Sequence, residues 1–542
     1  MNTLLKRTKD FIFAQQSSII SSTMILSGMI FLSAIAGFIR YRILVAFFNT
    51  ENLDIYFAAF RIPDLVFEIM INGALSTTFI PFFIEYQKKG KEQSKIISSI
   101  INVVSLSLFG FILILQLFLT PLINIITPGF DAVKTQEIVN YSRLLLLGQL
   151  PFLVLGNFLT GISQARRTFW LPALAPIIYN ISVIVFTLFF APRLHLYAPI
   201  MGVIVGAFLF FCIQLPVIIL QQFKYSFVIG HLKIAWRFFK TAVPRILTII
   251  VAQIEATIDL SLATFLGSGA YTVFYFAQHL QLLPISIIGI AYGQASLPYL
   301  TDMYQEKKYN EFKNVIVDSL LNILFLTIPA ATFFILGRTA IVRLFFGGDK
   351  FDWDATVLTS ITLSYFALSM PLHSVYYFLT RCFYAIFDTR TPFYISVAAI
   401  LTNAALSSLF TLVFKLPVWS LALAFSIAMS LNVLFLIGLL YKKIGGFDMW
   451  LVIKEISKII IAALNTSILT YFLMRLLDGL IFDTNRTLNV FLLIFIGFIF
   501  YSLMYIFLSW LFGVREMYII TRMVLKAREY QKKLLEVYKG VE

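Results

Sequence analysis

The residues of this chain best suited to chemistry are charged and amide side chains set inside or beside long apolar runs. Arg40 and Arg42 close one such run, Arg61, Asp64 and Glu68 lie in the next, and Gln253, Glu255 and Asp259 lie in another. His279, with Gln278 beside it, lies in the run after that. A charged side chain at the centre of a membrane span costs roughly 2.5–3.5 kcal/mol even on lenient scales, so such residues point to a pathway or a cavity. Arg40 follows the small residues of Ser33-Ala-Ile-Ala-Gly37, which allow close helix approach and let an arginine face a cavity rather than lipid. Asp64 and Glu68, and likewise Glu255 and Asp259, are spaced i, i+4 and share a helix face. Two adjacent carboxylates cannot both ionise cheaply, so the Glu255–Asp259 pair is expected either to share a proton or to bind a cation such as sodium. Plainer roles stand beside these: snorkelling at the interface for Arg42, pairing of one carboxylate with Arg245, and simple packing for His279.

Other chemistries find no support. There is no phosphate-binding glycine loop, nucleophile elbow, HExxH motif or Cys-x-x-Cys pair, which argues against an ATP-driven pump and against a hydrolase. The four histidines (His195, His231, His279 and His373) have no metal-ligand spacing, and Cys212 and Cys382 make no disulfide framework. No cofactor or metal is expected, and coupling to a sodium or proton gradient or to the membrane potential is the expected energy source.

The elements that position these residues must be membrane helices. The composition is 60% hydrophobic and only 13% charged, where soluble domains carry about 25% charge, so the solvent for most of the 542 residues is lipid. Spans of ~20 apolar residues are expected near 20–47, 57–84, 96–122, 138–162, 170–192, 197–221, 238–264, 270–299, 314–338, 356–384, 392–414, 418–440, 455–475 and 488–512. The second and eighth are the most polar. The fold class is therefore an all-α polytopic membrane protein of about fourteen transmembrane helices.

The connections alternate in charge. One set carries Lys88, Lys89, Lys91 and Lys95, then Arg166 and Arg167, then Lys224, Lys233, Arg237 and Lys240, and later Lys307, Lys308, Arg390, Lys442 and Lys443. The other carries Glu51, Asp54, Asp131, Glu137, Asp349, Asp352, Asp354, Asp478 and Asp483. The positive-inside rule places the first set and both termini in the cytoplasm, and the formal charge of +15 then reflects topology and anionic lipid rather than nucleic acid. Pro81-Phe-Phe-Ile-Glu85 is similar to Pro298-Tyr-Leu-Thr-Asp302, and Arg167 leading to Pro172 is similar to Arg390-Thr-Pro392, at nearly one offset. A duplicated six-span unit follows, giving two pseudo-symmetric lobes with substrate expected between them. The expected order is a cytoplasmic amphipathic N-terminus (1–19), an N-lobe (20–222), a linker (223–237), a C-lobe (238–440), two extra spans (455–512) and a basic tail (513–542).

An ordered set of motifs resembles the MurJ (MviN) lipid II flippases. It comprises Ser33-Ala-Ile-Ala-Gly37-Phe-Ile-Arg40, Asp54-Ile-Tyr-Phe-Ala-Ala-Phe-Arg61-Ile-Pro63, Gly73-Ala-Leu-Ser76 with Phe79-Ile-Pro81, and Thr127-Pro-Gly-Phe130. Further along come Pro172-Ala-Leu-Ala-Pro176 with Asn180, Ile341-Val-Arg343-Leu-Phe-Phe-Gly347, and Arg381-Cys-Phe-Tyr384-Ala with Asp388-Thr-Arg-Thr-Pro392. The resemblance covers about residues 20–440 and implies the fold of the multidrug/oligosaccharidyl-lipid/polysaccharide exporter superfamily. It implies an inner-membrane flippase, not an enzyme, that carries the undecaprenyl-pyrophosphate-linked peptidoglycan precursor from the inner to the outer leaflet by alternating access. Arg40, Arg61, Asp54, Ser33, Asn180 and His279 are the implied headgroup residues. Asp259 and Asn403, joined by Glu255, are the implied coupling-cation residues, and the last two spans the implied groove for the lipid tail. Membrane lipids and the cell-wall synthesis machinery are the implied partners.

The chain also departs from the family. Ala34 and His279 stand where arginines are usual, Phe67 and Glu68 where a basic pair is usual, Tyr41 and Ser407 where acids are common, and Asn72 in place of a glutamate. Those losses keep three alternatives open: a flippase for another lipid-linked saccharide, a cation-coupled drug antiporter driven by Glu255 and Asp259, and a transport-dead scaffold.

Overall fold

The computed structural model describes residues 19–87, 91–166, 168, 170–220, 223–480 and 486–518, and these form an all-helical chain without a β-sheet. Residues 1–18 of the expected N-terminal segment (1–19) and residues 519–542 of the expected tail (513–542), together with Lys88, Lys89, Arg167 and Asp483, lie outside the described residues. All fourteen expected spans fall on helices. Among the described residues, ten stretches are long and apolar enough to cross a membrane by length and composition.

The helices divide into two compact units. The first takes in everything up to Thr272 together with residues 345–355. Its helices are α1 (Ile19–Phe47), α2 (Thr50–Glu68), α3 (Lys91–Ile126), α4 (Ala132–Gly148), α5 (Leu150–Ala165), α6 (Trp170–Leu194), α7 (Tyr197–Cys212) and α8 (Leu232–Ala263). α6 packs on both α1 and α7, α2 packs on α4, and α8 packs on α3. α8 begins inside the stretch expected as a linker. The lead-in Phe223–Gly230 is pinned to α3, where Asn102 donates to the carbonyls of Ser226 and Val228 and the Ser98 and Ser99 hydroxyls accept from the Ser226 and His231 N–H groups.

The second unit holds α9 (Ala270–Pro284, its first turn counted with the first unit), α10 (Tyr309–Leu336), α11 (Trp353–Ala385), α12 (Arg390–Ser408), α13 (Trp419–Lys443), α14 (Met449–Leu480) and α15 (Thr487–Leu511). α12 packs on α13, and α14 packs on α10 and α15. Each unit contains one helix broken by a π-helical stretch and continued into a proline-bearing α-helical end. After α2 come Ile69–Phe79 and then Ile80–Gln87 with Pro81, and after α9 come Ile285–Ile290 and then Ala291–Gln305 with Pro298. These are the two polar spans, and the two prolines are those of the sequence repeat. π-helical stretches recur at functional sites because they rotate the side chains that follow them.

Local chemistry sets the helix starts. Asn49 caps α2 by accepting the Asn52 N–H at 2.9 Å, and Asp131 caps α4 by accepting the Lys134 N–H at 2.8 Å. Asp448 does the same for α14 through Leu451. Two loop acids of the sequence pattern are thus helix caps, Asp131 and also Asp352, which accepts the Ala355 N–H at 2.8 Å.

Prolines inside helices leave a carbonyl one turn earlier without its N–H partner, which lipid cannot satisfy. Pro63 in α2 frees the Ala59 carbonyl, and the buried Ser142 hydroxyl of α4 donates to it at 2.8 Å. Pro329 in α10 frees the Phe325 carbonyl, and the Tyr505 hydroxyl of α15 donates to it at 2.9 Å. Close approach needs small residues as well. At Gly202 of α7 an added Cβ would fall 2.9 Å from the Val183 Cα of α6, and Ser182 donates to the Gly202 carbonyl at 2.9 Å.

The α11–α12 turn carries an ion pair outside the spans. Lys443 Nζ donates to Asp388 Oδ2, while Asp388 Oδ1 accepts from the Arg390 and Thr391 N–H groups. Burial alone would push the Asp388 carboxyl up, but the bonds from Lys443 and Thr391 outweigh it and hold the group at about 2. A carboxyl held below its unfolded value of ~3.9 contributes stability that is complete above that value and is lost as pH falls towards 2. The thermal midpoint of Asp388→Asn should therefore lie below that of the parent at pH 7, with the gap closing between pH 4 and 2. A gap that stays constant over that interval would remove Asp388 from the pH response.

Candidate functional site

The first unit gathers the intramembrane charges. At ~100° of turn per residue, Arg61, Asp64 and Glu68 occupy one face of α2. Arg40 of α1 is half-buried and lies within electrostatic range of Asp64 and of the buried phenols Tyr56 and Tyr179. Its guanidinium sits 4.8 Å from the centroid of the Tyr41 ring. Tyr41 is buried against Phe57 and Phe346. Ser33 is joined to the same region through its carbonyl, which accepts from Asn180 Nδ2 at 3.4 Å, and the Asn180 amide also donates to the Pro176 carbonyl at 3.1 Å.

Arg61 is held from α8. Its Nε donates to Thr257 Oγ1 at 3.0 Å, and its Nη2 reaches Thr257 Oγ1 at 2.6 Å, the Gln253 carbonyl at 2.7 Å and Gln253 Oε1 at 3.0 Å. Glu255 and Asp259 interact with each other but project some 200° round α8 from Gln253 and Thr257. One helix thus presents an amide–hydroxyl face to Arg61 and a carboxylate face elsewhere. Asp259 is almost wholly buried, at 1% exposure. The side chain of Arg245, the alternative partner for these acids, lies outside the described residues.

Asp54, at 1% exposure, stands at the other end of α2. Its oxygens accept from the Gly269 N–H at 2.6 Å, the Thr272 N–H at 2.8 Å and the Thr272 hydroxyl at 2.7 Å. It therefore caps the start of α9 across space. Gly269 lies there at φ +84°, a left-handed conformation suited to glycine, and a Cβ at that position would sit 2.6 Å from Thr50 Oγ1.

The other expected site residues fall in the second unit. His279 lies against Tyr275 with ring centroids 4.0 Å apart and planes tilted by 33°, and its Nδ1 is 2.8 Å from the Tyr275 carbonyl. Asn403 of α12 is buried, and Ser407, one turn on, donates to its Oδ1 at 3.3 Å. Among the described residues no group of three His, Cys, Asp or Glu side chains could hold a metal. Thr257, Tyr56 and Tyr179 were not anticipated. The i, i+4 spacing of Gln253 and Thr257 in a run rich in polar side chains was the one available signal for the first of them.

An all-helical chain of this order, with arginines and carboxylates inside its spans, has the architecture of the MOP-superfamily transporters. An inward-facing MATE-family multidrug resistance transporter of that superfamily superposes with a TM-score of 0.66 over 76% of this chain and 94% of its own, at 13% identity, which speaks for the fold alone. The particular family is defined by sequence: the model described as lipid II flippase MurJ matches residues 43–484, and the chain belongs to that family. A solved lipid II flippase MurJ in an inward closed conformation is 27% identical, with a TM-score of 0.73 and coverage of 90% of this chain and 99% of that one. The lipid II flippase MurJ of Thermosipho africanus is 29% identical over 421 residues, covering 78% of this chain and 85% of that protein. The probable lipid II flippase MurJ of Bdellovibrio bacteriovorus is 26% identical over 461 residues, covering 82% and 87%. This chain is accordingly a multi-pass membrane protein of a transporter family.

Proposed function

We propose that the chain is a flippase that moves lipid II, the undecaprenyl-pyrophosphate-linked peptidoglycan precursor, from the inner to the outer leaflet of the bacterial inner membrane. Both termini are cytoplasmic in this reading, as the alternating charge of the connections requires. Family membership over residues 43–484, together with Arg40 and Arg61 on neighbouring helices of one unit, carries the proposal. A pyrophosphate leaving water loses its hydration, which would cost several kcal/mol or more if nothing replaced it. Guanidinium donors fixed before the cargo arrives supply that replacement without reorganising. Alternating access then exposes the site to each leaflet in turn, while the polyprenyl tail stays in lipid along α14 and α15. The chain would receive its cargo from the cell-wall synthesis machinery.

The test is complementation. Cells depleted of their own lipid II flippase should survive when this chain is expressed. Failure, with the protein shown to be folded and inserted, would overturn the assignment. One observation favours a second cargo, another lipid-linked saccharide: Phe67, where the family usually has a base, packs into an apolar cluster with Leu153, Ala175 and Phe210.

Energy coupling is assigned to the buried Asp259 with Glu255, and to Asn403 in the other unit. Asp259→Asn should abolish the response of transport to an imposed sodium or proton gradient by removing the ionisable group. A mutant whose rate follows the gradient as the parent does would sink that role.

A further inference from the structure

We propose that Gln253 and Thr257 of α8 are positioning residues for the cargo's pyrophosphate: they fix the Arg61 guanidinium so that its remaining Nη1 edge meets a phosphate oxygen. This rests on the lipid-linked pyrophosphate reading above and names how one of its two arginines is made specific.

The geometry is that of a cradle. Thr257 Oγ1 donates its own proton to the Gln253 carbonyl at 2.7 Å, so its lone pairs are left for Arg61. It takes both Nε and Nη2 of the guanidinium, at 3.0 and 2.6 Å. The Gln253 carbonyl and side-chain oxygen close on Nη2 from the same helix. All four bonds fall on the Nε–Nη2 edge, and among the described residues none is to Nη1. Guanidinium is planar and rigid, so fixing one edge fixes the direction of the other. Every acceptor in the cradle is neutral, so the positive charge remains uncompensated by α8 and available to an anion. Glu255 and Asp259, which would compensate it, project from the far side of the same helix. Asp64, one turn along α2, is a carboxylate within electrostatic range of Arg61.

An unfixed arginine has to lose rotamer freedom when phosphate binds, and a fixed one has already done so. The cradle should therefore appear as tighter cargo binding rather than as a faster crossing step. The experiment uses the full chain in proteoliposomes, with undecaprenyl pyrophosphate binding and lipid II transport read in parallel. Thr257→Val keeps the shape and removes the acceptor. It should weaken undecaprenyl pyrophosphate binding and raise the half-saturating lipid II fraction by about tenfold, the scale of one hydrogen bond to a charged group, with maximal rate unchanged. Thr257→Ser should restore both. Adding Thr257→Val to Arg61→Ala should cost nothing further.

Equal binding by Thr257→Val and the parent would overturn the proposal. So would an additive loss in the double mutant, or a fall in maximal rate and thermal midpoint that serine does not rescue, since those mark a structural role. If the parent binds undecaprenyl pyrophosphate but does not move lipid II, the cargo assignment fails while the cradle is still tested by binding. If the parent binds neither, both fail.

Discussion

Replacing Arg40 by alanine should reduce lipid II transport by roughly two orders of magnitude while leaving the protein folded and inserted. That is the scale of removing one member of a desolvated charge pair, the other member being the cargo's phosphates in the proposed function. Arg40 is suited to the task by its neighbours. The preceding residues Ser33, Ala34, Ala36 and Gly37 are small, its guanidinium lies against the Tyr41 ring, and Asp64 is the facing acid. Arg40→Lys should fall between parent and alanine, because lysine keeps the charge and loses the planar fork. Transport rates in proteoliposomes, set beside membrane yield and thermal midpoint, decide the matter. An alanine mutant as active as the parent would remove Arg40 from the site.

Asp54→Ala should give the largest loss of stability, about 3 kcal/mol, the scale of leaving buried donors without a charged partner. Two donors would be stranded, the Gly269 N–H and the Thr272 N–H, in a turn already committed to a left-handed glycine, while the Thr272 hydroxyl keeps the Thr50 carbonyl at 3.1 Å. Asp54→Asn keeps one acceptor oxygen and should lose less. Thermal unfolding in detergent measures both. An alanine mutant that melts with the parent would show that water or a neighbour takes over the cap. If headgroup binding also weakens, comparison with Asn at equal stability separates a direct contact from a loosened turn.

What could be read before the structure divides along physical lines. Spans were legible because hydropathy over ~20 residues is a local property, and all fourteen fall on helices. The pairing of Glu255 with Asp259 was legible for the same reason, being set by spacing within one helix. Thr257 was not, because its partner Arg61 is 196 residues away in the chain and helix-to-helix choice leaves no local trace. The role of Asp54 as a remote cap was hidden likewise, since its donors are more than 200 residues downstream. The π-helical stretches were invisible to periodicity: two fall in the polar second and eighth spans, and a third, Leu409–Val413, ends the eleventh.

The proline–hydroxyl pairs have an evolutionary consequence. Pro63 with Ser142, and Pro329 with Tyr505, are each a lesion and its repair carried on different helices. Losing the hydroxyl first strands a carbonyl in hydrocarbon, whereas losing the proline first merely leaves a redundant donor. Substitution should thus be directional: among descendants of this chain, proline can be shed before its partner but seldom after it, and each pair should be inherited together or dismantled in that order.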